Sequence, residues 1–234
     1  MSWQKGEEEK AIGAGSLTAK ILCERHNRSL SPLDVTTERL FRTFRTIDGA
    51  YKPGAVEPRD RYFLFNGHDV ERAMLKALCG GLVSGNMKLS GETLKDWVPP
   101  ERWLDILAGR TKQLPGCGMY LSAKEVLHSA DFFGMASLTN VDSGEIMGGE
   151  VFIAGFHFLV PMAKPNMAAD LMQKAYFRPG SFTIAGLVPA SPKFKIEFYW
   201  GDGESHQDLG LTRVGNYHGD HPVWIKGNRK EEAK

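Results

Sequence analysis

Cysteine is scarce in this chain of 234 residues, and the three present, Cys23, Cys79 and Cys117, are odd in number and widely spaced. A disulfide framework pairs its cysteines, so this composition argues against one and favours a reducing compartment. No apolar run approaches the roughly 20 residues that a spanning helix needs. Met1 to Lys10 also lacks the charged-then-apolar pattern of a signal peptide. The sequence therefore predicts a soluble, cytoplasmic protein without a membrane partner.

An excess of charge of either sign is also lacking. The 29 basic and 28 acidic residues leave a formal net charge of +1. Bulk electrostatic attraction toward nucleic acid or an anionic membrane is thereby excluded, and any such binding needs a local basic patch. The hydrophobic fraction of 42% and the charged fraction of 24% are typical of a globular chain that buries a sizeable core.

Three stretches carry helical signals. Ser31-Pro32-Leu33-Asp34 combines a capping hydroxyl, a proline suited to the first turn and an acidic residue, and predicts a helix over 32–47. Apolar residues at helical spacing predict a second helix over 69–84, with Cys79 as a buried thiol. Pro99-Pro100 opens a third helix over 99–108.

Short apolar or alternating runs separated by Gly, Pro, Asn and Asp dominate from Gly116 onward and predict antiparallel strands. In KFKIEFYW, at 193–200, apolar and polar residues alternate, as in a strand with one buried face. Residues 151–160 are apolar on both faces and predict one central, covered strand. The predicted fold is α+β, with an N-terminal knuckle and three helices packed on a C-terminal antiparallel sheet.

Changes in composition divide the chain into four segments. These are the knuckle (1–31), a mainly helical segment (32–116), an antiparallel β segment (117–201), and a loop with a polar tail (202–234).

The knuckle is the local signal with the most chemical content. Cys23-Glu24-Arg25-His26-Asn27 follows SLTAKIL, a predicted strand at 16–22, and places a thiol and an imidazole three residues apart. A tight turn at this spacing aims both side chains at one metal ion. Structural zinc takes four N or S ligands, so Cys23 and His26 amount to half a site.

The stretch IGAGSLTAKILCERHN, at 12–27, resembles a segment of HNH-endonuclease-like zinc modules, and LSPLD with the following arginine-rich helix looks like bacterial proteins that carry such a knuckle. The resemblance implies Cys23 and His26 as zinc ligands and Asn27 as the residue that fixes the turn. That family has a first Cys-x-x-Cys pair and a water-activating histidine upstream, whereas residues 1–11 contain neither Cys nor His. The resemblance thus implies an incomplete zinc site in a degenerate relative or in one that begins at an internal start.

A row of arginines near the knuckle is the best basic patch in the sequence. It comprises Arg25, Arg28, Arg39, Arg42 and Arg45. One interpretation is a nucleic-acid-binding surface, which the resemblance favours. The other is a solvated helix face, in which Glu38 pairs with Arg42 across one turn.

For the other residues whose side chains could bind a metal or catalyse a reaction, a structural role is the simpler interpretation. His218, Asp220 and His221 can chelate a divalent ion, or they can form a plain turn. His157 in an apolar strand is predicted to be a hydrogen-bonded core histidine. Cys117, in Pro-Gly-Cys-Gly, is predicted to occupy an exposed turn, where a catalytic thiol would need a histidine close by in the fold.

The leading hypothesis is a non-catalytic or truncated HNH-like binding module, with nucleic acid as the ligand and an incomplete zinc site. The alternative is a small-molecule- or protein-binding α+β domain in which no metal is bound. An enzyme that uses the C-terminal histidines comes third. No catalytic residue is assigned from the sequence.

Overall fold

Four helices and twelve strands are formed by the residues that the computed structural model describes, which are 24–51, 59–84, 87–89, 92–93, 97–122, 133–140, 142–153, 156–163, 175–186, 192–203, 206–218 and 221–226. The helices are α1 (Glu24–Ser29), α2 (Ser31–Ala50), α3 (Gly67–Val83) and α4 (Glu101–Leu107). The helices predicted over 32–47, 69–84 and 99–108 are confirmed as α2, α3 and α4. The strand predicted at 16–22 lies outside the described residues.

Most strands follow the helices in the chain, so the α+β fold class is confirmed. The strands are β1 (Arg61–Asn66), β2 (Lys88–Leu89), β3 (Glu92–Thr93), β4 (Tyr120–Ser122), β5 (Phe133–Thr139), β6 (Ile146–Ile153), β7 (Phe156–Pro161), β8 (Ala175–Phe177), β9 (Ser181–Gly186), β10 (Lys193–Tyr199), β11 (Asp208–His218) and β12 (His221–Lys226). In place of one large sheet, the described strands form two five-stranded sheets, sheet A and sheet C, and the small two-stranded sheet B of β2 and β3.

The two large sheets differ in strand direction. Sheet C, in the order β5-β6-β7-β4-β8, is antiparallel throughout, as predicted. Sheet A, in the order β1-β10-β9-β11-β12, is mixed, because β1 runs parallel to β10 and β9 runs parallel to β11. Two strands joined by a hairpin are always antiparallel. Strand β1 comes from the helical half of the chain, so no hairpin sets its direction in sheet A.

The prediction of one strand over 151–160 is wrong in one respect. Two antiparallel strands, β6 and β7, share this stretch, and Ile153 pairs with Phe156 across them. Both strands are apolar, so the periodicity does not mark the break between them. All six residues of β7 are buried, and β7 lies between β6 and β4, which confirms a central strand covered on both sides.

The core connects both large sheets through aromatic side chains. Phe44 of α2 is fully buried and stacks on Phe156 of β7, with ring centroids 4.1 Å apart. The Phe156 ring lies 5.5 Å from that of Phe182 on β9. In β10 the alternation predicted from KFKIEFYW is confirmed, since Phe194, Ile196 and Phe198 are buried. Helix α2 therefore packs at the place where the two sheets meet.

Polar contacts fix the first turns of α2 and α3. Asp34, in the first turn of α2, accepts two bonds from Lys76 Nζ of α3, at 2.6 and 2.7 Å. Asn66 ends β1 and caps α3, because its Oδ1 accepts from the Asp69 N–H at 3.2 Å. Helix α3 thus starts immediately after β1.

The segment 202–234, predicted as a loop and polar tail, contains the hairpin of β11 and β12. Its Gly, Asp and Asn residues hid the strand pattern, because these residue types are depleted in strands. Residues 227–234 lie outside the described residues. Within the described part of the chain, no helix is long and apolar enough to cross a membrane.

Cys79 gives a direct test of the α3 packing. The side chain is buried, and burial raises the pKa of its thiol to about 12. The thiolate is the reactive form, so we expect iodoacetamide at pH 8 to modify Cys79 only after unfolding. Peptide mapping by mass spectrometry, with guanidinium-unfolded protein as the control, measures this. Rapid modification of Cys79 in the native protein would contradict the placement.

Candidate functional site

The knuckle residues adopt a different local structure from the one expected. Residues 24–29 form helix α1, so the tight turn predicted for Glu24 to Asn27 is absent. His26 and Asn27 are exposed on α1, and Cys23 lies outside the described residues. Among the residues that can be described, no group of three or more His, Cys, Asp or Glu side chains is placed to hold a metal ion. Zinc binding at Cys23 and His26 therefore stays a prediction.

All five arginines of the predicted basic patch are exposed, and the contacts of Arg28, Arg42 and Arg39 show what this surface does in the fold. Arg28 pairs with Glu24 at 2.7 Å, and Arg42 pairs with Glu38. Arg39 extends from α2 to β1, where it donates to the Leu64 carbonyl at 2.9 Å and covers the Phe65 ring. The interpretation of this patch as a solvated helix face predicted the pairing of Arg42 with Glu38. Arg39 also packs over the Phe65 ring.

The C-terminal histidines are brought opposite each other. His218 at the end of β11 and His221 at the start of β12 are register partners, and Asp220 lies outside the described residues. The structure describes only the backbone at His218 and His221, so metal binding here is also left as a prediction.

His157 and Cys117 are both buried. His157 Nε2 lies 3.1 Å from Glu150 Oε2, which confirms a hydrogen-bonded core histidine. The exposed turn predicted for Cys117 is wrong, because the thiol is fully buried in the loop between α4 and β4. Burial raises its pKa, the nearby Arg102 guanidinium opposes this rise, and Glu71 adds to it. A buried thiol of raised pKa is a poor nucleophile.

A cluster of polar side chains that was not predicted lies at the start of α3. At its centre, Glu71 is 2% exposed. Its Oε1 accepts from Arg178 Nε and from the Met119 N–H, both at 2.8 Å, and its Oε2 accepts from Arg178 Nη2 at 3.0 Å. His68 Nδ1 lies 3.7 Å from Glu71 Oε2, and the His68 side chain is 39% exposed. The carboxylate thus joins α3, the start of β4 and the β8–β9 corner.

The other side of Arg178 faces the loop after β10. Arg178 Nη1 lies 3.7 Å from Asp202 Oδ2, and Asp202 Oδ1 lies 3.0 Å from His206 Nε2. The buried Trp200 ring lies 5.6 Å from each of the His68 and His206 rings, and the Arg178 guanidinium lies over it. We call Glu71, Arg178, Asp202, His206, His68 and Trp200 the Glu71 cluster.

Backbone geometry allows these groups to approach one another. A Cβ at Gly118, whose φ is +134°, would collide with Glu71 Oε1, and a Cβ at Gly67 would lie 2.5 Å from the Trp200 ring. Arg178 adopts a left-handed conformation with a φ of +39°, and it is the one residue other than glycine with positive φ in the described chain. Side chains with a Cβ rarely occupy this region, because Cβ crowds the backbone.

One sequence signal could have found the Glu71 cluster. Glu71 occupies the apolar stripe of α3, three, four and seven positions before Met74, Leu75 and Leu78, which are all buried. A carboxylate at such a position requires a buried cation or several donors. The sequence does not indicate which arginine supplies them.

Comparisons with family models, with curated proteins and with solved structures give no significant match to this chain.

Proposed function

We propose that this chain binds a small polar organic molecule at the Glu71 cluster, as a ligand-binding α+β protein. The observation that carries the proposal is the coincidence of a buried ion pair, a strained arginine and two histidines at one corner of the fold. This corresponds to the small-molecule alternative predicted from the sequence.

Burial of the Glu71–Arg178 ion pair and the left-handed backbone of Arg178 are both unfavourable for folding. Burying a charge pair costs several kcal/mol of desolvation for each ion, and a well-packed apolar pair is often at least as stable. A left-handed φ at a residue with a Cβ adds about 1–2 kcal/mol. Buried charges and backbone strain that do not stabilise the fold are typical of sites that act on a ligand. Their coincidence at Glu71 and Arg178 supports a binding role.

The position of the Glu71 cluster at one end of sheet A also supports a ligand-binding role. Strands β1 and β10 are parallel, and their carboxyl ends lie side by side at Asn66 and Tyr199. Helix α3 begins directly after β1, so the first-turn N–H groups of α3 lie beside this end of the sheet. In sheets with parallel strands, ligands bind outside the carboxyl ends, where helix N-termini favour polar or anionic groups.

The accessible part of the cluster defines the ligand chemistry. His68 is the most exposed member, while the Arg178 and His206 side chains are 13% and 11% exposed. All three can donate hydrogen bonds. We expect a ligand with a hydrogen-bond acceptor near His68.

A thermal-shift screen with small ring compounds that carry cationic, neutral or anionic groups tests the proposal. We expect ligands that raise the Tm of the unaltered chain and lose at least tenfold in affinity in His68→Ala and in Arg178→Lys. Lysine keeps the charge of arginine but loses its two-pronged geometry. Each variant is compared with its own ligand-free Tm, so a change in intrinsic stability does not affect the result.

Arg110→Lys is the matched control. Arg110 also donates twice to a carboxylate, at 2.8 and 2.6 Å from Asp105 Oδ1, but on the surface and away from the cluster. Ligands that bind all three variants equally well would contradict the proposed site.

Nucleic-acid binding through α1 and α2 is a second candidate, favoured by the exposure of all five arginines. The Glu24–Arg28 and Glu38–Arg42 pairs are exposed, and pairs of this kind contribute only about 0.3–0.5 kcal/mol. Phosphate groups can therefore displace the glutamates. The zinc half-site at Cys23 and His26 belongs to this candidate.

For this candidate we expect binding of a labelled 20-base-pair duplex to weaken steeply with salt. In the triple variant Arg25→Gln, Arg28→Gln, Arg42→Gln, the slope of log K against log salt should fall by about 3, because each lost phosphate contact removes about 0.9. Fluorescence anisotropy between 50 and 200 mM salt measures this, with Arg110→Gln as the control. Binding that is absent, or equal in the triple variant, would exclude the arginine surface.

A further inference from the structure

The face of sheet A that points away from the core carries a group of exposed apolar side chains. Tyr62 and Leu64 of β1 and Tyr199 of β10 are 72%, 58% and 66% exposed. Tyr62 is the register partner of Lys195, and Leu64 is the register partner of Glu197. Alternate residues of a strand share a face, so these five side chains lie together on two adjacent strands, opposite the buried side chains of β10. We call these five residues the sheet A patch.

The apolar part of the sheet A patch is typical of an interaction surface. Three of the six large apolar side chains that are exposed in the described part of the chain belong to it. Single exposed apolar residues are normal on a protein surface, whereas contiguous ones mark sites of interaction. Tyrosine is also enriched at protein interfaces, because its ring buries a large area and its hydroxyl tolerates water. The patch therefore fits a protein partner.

The charges of the sheet A patch indicate which partner it fits. Lys195 Nζ lies 2.6 Å from Glu197 Oε1, so the patch carries one charge of each sign beside its apolar residues. A nucleic acid or an acidic protein would meet the Glu197 carboxylate, and a basic protein would meet the Lys195 ammonium. In a two-fold dimer the same patch meets itself, and a patch with both signs of charge is complementary to its own copy. Lys195 of each copy then faces Glu197 of the other.

Addition of a peptide strand to the edge of sheet A fits the structure less well. Strand β1 is an edge strand, and strand addition uses the backbone groups along such an edge. Arg39 of α2 already donates to the Leu64 carbonyl, in the middle of β1, at 2.9 Å, and it packs over the Phe65 ring. An added strand would compete with Arg39 for this acceptor. The exposed face of β1 and β10 is thus a better contact surface than the edge of β1.

We propose that the sheet A patch is the interface of a weak, reversible two-fold dimer of this chain, an interaction separate from ligand binding at the Glu71 cluster. Tyr62, Leu64 and Tyr199 of each copy cover those of the other. The two Lys195–Glu197 contacts between the copies set their relative orientation. A patch on two strands belongs to the class of interfaces that bury less than about 1,200 Å² in total, which associate transiently.

Sedimentation velocity of the full chain over a hundredfold range of protein concentration tests the proposal. We expect the unaltered chain to shift from monomer to dimer as its concentration rises. Leu64→Lys should raise the dissociation constant of the dimer at least tenfold, because it places an unpaired charge in the apolar part of the interface. Val98→Lys is the matched control. Val98 is 75% exposed but lies outside the strands, so its substitution should leave the dissociation constant unchanged.

An exchange of charges tests the two-fold arrangement. Lys195→Glu and Glu197→Lys should each weaken self-association at least tenfold, because like charges then face each other across the interface. An equimolar mixture of the two variants restores every contact between opposite charges. We therefore expect it to form a heterodimer at least tenfold tighter than either variant with itself. Fluorescence-detected sedimentation at low ionic strength, where charges are least screened, measures this with a label on one variant.

Circular dichroism checks that each variant is folded. If Leu64→Lys does not fold, the exchange of charges decides, because the side chains of Lys195 and Glu197 are 31% and 45% exposed and tolerate substitution. A chain that stays monomeric at the highest concentration would overturn the proposal. Equal dissociation constants for Leu64→Lys and Val98→Lys, or a mixture no tighter than its components, would also overturn it.

Discussion

Glu71→Gln is expected to lower the free energy of unfolding by about 3–5 kcal/mol, the usual cost of breaking a buried ion pair from one side. The carboxylate is 2% exposed and accepts two bonds from Arg178 and one from the Met119 N–H. The amide of glutamine is neutral, so Arg178 loses the counter-charge that it contacts directly and keeps only the more distant Asp202, at 3.7 Å. Chemical denaturation followed by circular dichroism measures the loss.

Glu38→Gln is the control for this prediction. Glu38 also pairs with an arginine, Arg42, but both side chains are exposed, at 64% and 77%. An exposed pair one helical turn apart contributes about 0.3–0.5 kcal/mol. A loss in Glu71→Gln as small as that in Glu38→Gln would show that Glu71 and Arg178 do not form a buried pair.

Phe44→Ala is expected to cost about 3–5 kcal/mol, the range for removing a fully buried phenylalanine. The ring stacks on Phe156 at 4.1 Å and lies 6.1 Å from Phe182, so its loss opens a cavity between the two sheets. Val35→Ala on the same helix is the control. Val35 is 62% exposed, and its truncation should change stability by less than about 0.5 kcal/mol.

Equal losses in Phe44→Ala and Val35→Ala would contradict the orientation of α2. The two substitutions test the same helix from opposite faces, so a general effect on helix propensity cannot account for a large difference. Chemical denaturation of both variants under the same conditions makes the comparison.

Local signals predicted the helices, because apolar spacing and capping residues act within one element. The Ser31-Pro32-Leu33-Asp34 start and the apolar stripe of α3 each predicted a helix to within three residues of its observed ends. The alternation in β10 likewise predicted its buried face. The sheet arrangement could not be predicted in this way, because the parallel pairing of β1 with β10 joins distant parts of the chain.

The Glu71 cluster was missed for the same reason. Glu71 and Arg178 are 107 positions apart in the sequence, and only the fold brings them within 2.8 Å. The sequence shows a carboxylate on an apolar stripe, but its partner is defined by tertiary structure. The knuckle attracted attention because its Cys and His are close in sequence, whereas the described part of it is an exposed helix.

The most direct test of the central claim is a titration that follows the indole N–H signals of the tryptophans by ¹H–¹⁵N NMR, with a ligand from the thermal-shift screen. The Trp200 indole lies between His68 and His206 and donates to the Pro179 carbonyl at 3.0 Å, and Trp200→Phe assigns its signal. The account predicts that the ligand shifts the Trp200 signal more than those of Trp97 and Trp103, which contact each other near α4. A saturating ligand that leaves the Trp200 signal in place while it shifts the other two would contradict binding at the Glu71 cluster.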